Sequence, residues 1–203
     1  VRVVERARAL LAWRGREAAL YDLGDGRLRT TPFTHPDAVA EGIVLDAGEV
    51  ITRDVGGGVW LWGGGAQPRA LAQGGVARIA VDRDGRQLVG WGDDGLRRWS
   101  LPAGTSAGHV LAGSAIAGAA FLERGGLLAW SAAGEFWRVG DAGAGAGWQT
   151  RCAPRGVAVA ADGRSAISYC DTALIRHDVA AGGVAARWNS PELIDGVRFD
   201  ADA

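Results

Sequence analysis

The stretch Gly75–Ser106, GVARIAVDRDGRQLVGWGDDGLRRWSLPAGTS, decides the fold. Apolar residues alternate along Val76–Val81, a polar turn follows at Asp82–Arg86, and Gln87–Trp91 makes a second strand. A Gly/Asp turn at Gly92–Gly95 leads into a third strand, Leu96–Leu101. Alternation with a period of two, broken by Asp/Gly turns, is the pattern of half-buried strands joined by hairpins.

The same order recurs on both sides. Downstream, AIAGAAFLERGGLLAWSAAGEFWRVGDAG begins at Ala115 and PRGVAVAADGRSAISYCDTALIRHDVAAG at Pro154. Upstream, AVAEGIVLDAGEVITRDVGGGVWLWGGG begins at Ala38, and the opening VVERARALLAWRGREAALYDLGDG is a degraded copy. A short segment suited to a fourth strand follows each copy: Leu28–Pro32, Pro68–Ala72, His109–Ala112, Gly147–Cys152 and Val184–Trp188. One column, at the end of the second strand, holds Trp13, Arg53, Trp91, Trp130 and Tyr169 at intervals of 40, 38, 39 and 39 residues. A second column, near the end of the third strand, holds Tyr21, Trp62, Trp99 and His177. Trp137 or Arg138 fills it in the fourth copy, according to where a one-residue gap is placed. Four strands repeating every 39 or so residues predict an all-β propeller of four-stranded antiparallel blades. A helical solenoid of similar period would need amphipathic helices, which the 33 glycines disfavour.

The string LVGWGDDGLRRWSLPAG resembles the end of the WD40 repeat, where an apolar pair, a small polar turn and an Asp precede a strand ending in Trp. Asp94 or Asp93, Asp54 and Asp171 fall at that repeat's turn Asp, and Trp99 and Trp62 at its tryptophan. The Asp after this Trp is kept as Asp22 and Asp178 but replaced by Gly63 and Ser100. The repeat's opening Gly-His pair is missing from every copy, so the resemblance implies that the hydrogen-bonded tetrad of WD40 blades is incomplete. The likeness is to a degenerate, bacterial type of the repeat and covers nearly the whole chain.

Residues 1–203 then form a single domain with blades at about 1–33, 38–73, 75–113, 115–152 and 154–190 and a partial one at 193–203. In the last, LIDGVRFDADA matches a first strand and its turn, Asp200–Ala203, and stops where a second strand would begin. The expectation is about five blades plus one strand of a larger, seven-bladed propeller. A chain that starts at Val1 and holds no methionine suits a piece of something longer. The alternative is a small propeller in which Leu193–Asp200 completes the weak blade near Val1–Arg6.

Composition narrows the function. With 48% hydrophobic and 22% charged residues the chain is ordinarily globular. A net charge of −1 offers no broad basic surface for nucleic acid or an anionic membrane. No apolar run approaches the roughly 20 residues of a spanning helix. All 22 basic residues are arginine, which together with the Ala, Gly, Asp and Val content reads as a GC-rich bacterial coding background. Two cysteines, Cys152 and Cys170, are too few for a secreted disulfide framework. Free thiols in the cytoplasm are the expectation. Hairpin counting about Asp162–Gly163 sets residue 155 opposite Cys170, so a bond to Cys152 would need a bulge.

No cofactor or metal is assigned. His35 precedes Pro36 in a loop, His109 lies on a fourth strand, and His177 occupies the second column as a packing residue; the three are too scattered for local metal ligation. No nucleophile elbow occurs, and GAGAG at Gly143–Gly147 opens no helix that could hold phosphate. The strongest constellation is the first column, Trp13, Arg53, Trp91, Trp130 and Tyr169, which the WD40 resemblance places on the face where partners commonly bind. Trp, Tyr and Arg dominate interface hot spots. The same rings suit the wedge between blades, and the two roles are compatible. Asp54, Asp93, Asp94, Glu135 and Asp171 fall in the adjoining turns, where they suit either a basic partner or bonds to their own backbone.

The sequence therefore points to a non-catalytic module for protein interaction, scaffolding or sensing, with a protein or peptide, or other domains of the same protein, as partner. The resemblance implies one domain of a larger bacterial signalling or defence-type protein, because such propellers often follow NTPase, protease or kinase modules. A propeller enzyme (hydrolase, lyase or dehydrogenase) with a channel-mouth site is the alternative. It would need converging His or carboxylate groups, and no histidine repeats at the 39-residue period on that side.

Overall fold

Alternating apolar residues and tight Asp/Gly turns produce five separate antiparallel sheets in the computed structural model, which describes residues 2–4, 8–63, 66–101, 103–123, 126–141 and 143–199. Sheet one contains β1 (Arg2–Val4), β2 (Ala9–Arg14), β3 (Glu17–Asp22) and β4 (Phe33–Thr34). Sheet two contains β5 (Val39–Val44), β6 (Glu49–Asp54), β7 (Gly58–Gly63) and β8 (Ala66–Gln73). Sheet three contains β9 (Arg78–Val81), β10 (Gln87–Gly92), β11 (Gly95–Ser100) and β12 (Thr105–Ala112). Sheet four contains β13 (Gly118–Phe121), β14 (Leu127–Trp130), β15 (Glu135–Gly140), β16 (Gly143–Ala144) and β17 (Trp148–Gln149). Sheet five contains β18 (Gly156–Val159), β19 (Ser165–Cys170), β20 (Ala173–Asp178) and β21 (Gly183–Asn189). Strands follow one another across each sheet in chain order; in sheet four the outer place is split, with β16 and β17 both pairing β15.

The turns are made by the residues that favour them. Asp82 accepts from the amides of Arg86 and Gln87 at 2.7 and 2.9 Å, while Gly85 supplies a φ of 69° that a side chain would resist. The chain divides into two compact units, residues 1–108 and 109–203. Within the first, Leu11, Ala18 and Leu20 of sheet one pack on Val39, Val50 and Trp62 of sheet two. The other side of sheet two, through Ile51, Val59 and Leu61, packs on Ile79, Leu88 and Trp99 of sheet three. Within the second unit, Leu128 and Phe136 of sheet four pack on Ala166 and Val179 at sheet five. Successive sheets in a unit thus meet face to face, so each inner strand residue chooses between two cores by its parity.

Some expectations change. Strand register places Val139, not Trp137 or Arg138, in the second column, because Leu127 faces Val139 as Val50 faces Trp62 and Leu88 faces Trp99. The gap belongs in the turn: Trp130 pairs with Phe136, six residues on, whereas Trp91 pairs with Leu96, five residues on. In sheet one the fourth strand is Phe33–Thr34 in place of Leu28–Pro32, where only an isolated Tyr21–Leu28 bridge forms. Pro32 has no N–H to give a ladder. Residues 193–199 carry no strand pairing, and 200–203 lie outside the described residues.

Candidate functional site

The first-column residues are register equivalents, each facing the first paired residue beyond its hairpin: Trp13 with Ala18, Arg53 with Val59, Trp91 with Leu96, Trp130 with Phe136, Tyr169 with Leu174. All five are half-buried. Trp13 packs against the core of sheets one and two. Trp130 stacks on Phe136 with centroids 6.3 Å apart and lies against Gly118, where any side chain would collide with its ring. Tyr169 covers Gly156 in the same way and donates its hydroxyl to the Asp195 carbonyl at 2.9 Å. Arg53 is held by Glu41 at 3.4 Å and donates to the Asp54 carbonyl at 3.0 Å. Trp91 keeps its indole N–H buried without a partner. Trp13 and Trp130 therefore fill wedges between sheets, while Arg53 and Tyr169 are tied through their polar groups.

The turn acids separate into two kinds. Asp54 is 3% exposed and accepts from the Gly58 amide at 2.8 Å and the Trp60 indole at 3.2 Å, so it stabilises its own hairpin. Glu135 accepts from the Ser131 hydroxyl at 3.2 Å. Asp93, Asp94 and Asp171 are exposed; Asp94 lies 3.5 Å from Arg97, and Asp171 2.9 Å from Arg155. At the opposite ends of the strands a cleft of about 630 Å³ opens between sheets four and five, lined by Leu122, Arg138, Gly145, Gly163, Arg164 and Val179.

Two buried polar chains were not legible as such. In sheet two the Trp62 indole donates to Thr52 Oγ1 at 2.9 Å, and Thr52 Oγ1 lies 3.0 Å from His35 Nε2. Beyond the bond from the indole, Thr52 Oγ1 keeps one proton and one lone pair, either of which suits Nε2, and the ring's other nitrogen is Nδ1. That Nδ1 is buried without a hydrogen-bond partner, and the Asp54 charge nearby partly offsets the burial that lowers the His35 pKa. In sheet five the pattern is exchanged. His177 stands in the column of Trp62, Ser168 in that of Thr52, and Trp148 comes from the preceding sheet as His35 does. The Trp148 indole donates to His177 Nδ1 at 3.0 Å, and His177 Nε2 therefore donates to Ser168 Oγ at 2.8 Å. Indole, hydroxyl and imidazole across neighbouring sheets supply three members of the tetrad, and with His35 Nδ1 unpartnered the fourth is missing, so the tetrad is incomplete as expected.

The fold is a WD40-like β-propeller. The propeller domain of Cps50 (Swd1) from Myceliophteria thermophila superposes with a TM-score of 0.61 at 16% identity, over 91% of this chain and 70% of its own. No family model and no curated protein matches the chain. The chain Trp62–Thr52–His35 escaped notice because His35 follows Thr34 in place of the usual glycine. Thr52 and Ser168, hydroxyls one residue before the column in apolar strands, were the signal that a buried partner had to exist. Both Ser168 and His177 are 0% exposed, so their short contact ties β19 to β20 out of reach of solvent, and the Trp148–His177 bond is the one that joins blades four and five.

The cysteines also differ from expectation. Cys152 and Cys170 are bonded, with Cα atoms 6.2 Å apart. Gly156 faces Tyr169 as hairpin counting requires, but Arg151 adopts a φ of 59° and the link bends back, carrying Cys152 to the end of β19.

Burial lowers the His177 pKa to about 4. An unfolded histidine titrates near 6.5. Between these values the unfolded chain binds the extra proton, so stability falls as pH drops from about 6.5 towards 4. Equilibrium urea unfolding at pH 7 and pH 4.5 should show this loss, and His177→Phe should flatten that segment of the profile while lowering stability at pH 7. An unchanged slope in the variant would assign the acid sensitivity elsewhere.

Proposed function

We propose that this propeller is a non-catalytic interaction module, binding a protein or peptide partner at the hairpins between the second and third strands of its blades. The observation that carries the reading is blade three: Asp93 and Asp94 are exposed on a two-residue hairpin whose flanking Gly92 and Gly95 are buried, beside the half-buried Trp91. Carboxylates held on a rigid turn next to an aromatic edge suit a basic peptide, whose arginine or lysine can pair with one and lie on the other. Preordered side chains lose little entropy on binding. The expectation of a cytoplasmic setting rested on free thiols; with the pair bonded, an oxidising setting keeps the link closed and a reducing one opens it.

The test is binding of a chain carrying Asp93→Lys and Asp94→Lys, with circular dichroism and melting temperature as controls. Against partners captured by the unaltered chain, affinity should fall at least about tenfold. Equal affinity with the fold intact would move the interaction surface off these hairpins.

A further inference from the structure

The cleft between blades four and five has no part in the proposed binding face, because it opens at the opposite ends of the strands from the hairpins. Small residues make it. Blade four divides its outer place between β16 and β17, and blade five turns from β20 into β21 through residues 179–182, Val-Ala-Ala-Gly. A Cβ added at Gly140 or Gly143 would meet nothing within 4 Å, so the wall on that side stands back. Leu122 and Val179, 8% and 1% exposed, form an apolar floor. At about 630 Å³ the space is in the range that holds small organic ligands.

Its charges are unevenly paired. Arg138 and Arg164 both line the cleft, both are exposed, and neither forms an ion pair among the described residues. Of the acids beside them, Asp162 accepts from the Arg164 amide at 2.8 Å, and Asp141 is already engaged. Glu123 is the one described acid there that is left to oppose the two guanidinium groups. A second cleft, of about 510 Å³, lies between the corresponding segments of blades one and two. Its Arg29 donates through both Nε and Nη2 to Asp22, at 2.8 and 2.6 Å, so that charge is answered within the blade. The geometry of the repeat makes such clefts, and the residues of blades four and five leave two guanidinium groups unpaired in this one.

We infer that this cleft binds a small phosphate monoester, with its phosphate on Arg138 and Arg164 and its apolar body on Leu122 and Val179. The guanidinium fork matches phosphate oxygens in pairs. A phosphate monoester carries about −1.5 to −2 of charge near neutral pH, which answers two arginines better than a single carboxylate does. Glycine and alanine walls let the ligand's body approach the backbone closely. The site lies away from the hairpins and stands whether or not a partner binds there.

Phenyl phosphate is the probe, titrated at low salt by calorimetry, with benzoate and phenol as arms that lack the phosphate. It should bind with a dissociation constant of about 1 mM or below, and at least about tenfold more tightly than benzoate or phenol. Arg138→Gln and Arg164→Gln should each weaken it about tenfold, with melting temperatures unchanged because both side chains are exposed. Glu123→Gln removes the opposing charge and should tighten binding about threefold, a gain that a misfolded chain could not give. Absence of phenyl phosphate binding would overturn the inference. So would benzoate or phenol binding as tightly, affinity indifferent to both arginine changes, or affinity untouched by Glu123→Gln.

Discussion

Replacing Trp62 by alanine should cost about 3–5 kcal/mol of folding stability, the usual range for removing a buried large aromatic side chain. The ring is 2% exposed, packs between the cores of blades one and two, and lies 5.8 Å from Phe33 by centroid. It also gives the donor at the head of the chain through Thr52 to His35. Trp62→Phe keeps an aromatic ring in the wedge and removes the N–H with a small part of the apolar contact, so its cost should be smaller, about 1–2 kcal/mol. Urea titrations with an unchanged m-value measure both. A Trp62→Phe chain as stable as the unaltered one would show that packing alone holds this wedge and that the polar chain adds nothing.

That pair of variants bears on why some of the molecule was readable and some was not. The period was legible because it is written in alternation: residues such as Leu88, Val89 and Trp91 must choose sides of a sheet, and the choice repeats every 39 residues or so. Trp62 and Trp99 were correctly placed because their hairpins could be counted without a gap decision that mattered. Val139 was not, because its column depends on one extra residue in the turn Ser131–Gly134, and turn length leaves no trace in a strand pattern. His35 was passed over for a related reason. Its role comes from a hydroxyl 17 residues away, Thr52, which has a partner only once two sheets are packed. The turn acids show the limit for the site. Asp54 and Asp93 occupy equivalent hairpins, yet the first is buried under the Trp60 indole and the second is open to solvent. Which acid is turned onto its own hairpin and which stays open to solvent is decided by a side chain on the following strand.

Reduction of the Cys152–Cys170 bond should lower stability by roughly 3 kcal/mol, the chain-entropy value for a closed loop of this size. The two residues are 18 apart, and the loop they close contains the link into blade five and the hairpin of β18 and β19. The bond acts on a segment with other anchors. Thr150 Oγ1 donates to the Gly134 carbonyl at 3.0 Å, the Thr150 amide bonds the same carbonyl, and the Arg155 amide bonds the Tyr169 carbonyl. Because those hydrogen bonds remain when the sulfurs part, the blade should stay folded while unfolding becomes easier. The Cys152→Ser/Cys170→Ser chain should melt like the reduced protein and be insensitive to dithiothreitol, whereas the unaltered chain should shift to lower temperature on reduction. With both sulfurs bonded, alkylation of the native oxidised chain should be negligible, and after reduction the half-buried Cys152 should react ahead of Cys170, which is 6% exposed. Thiols that alkylate freely in the native chain, with a melting temperature indifferent to reductant, would restore the free-thiol expectation drawn from the cysteine count. The position of the pair gives the result a functional meaning. Cys170 follows Tyr169 directly in β19, and Cys152 lies in the link that bonds the blade-four hairpin through Thr150, so opening the bond loosens the hairpins at which binding is proposed.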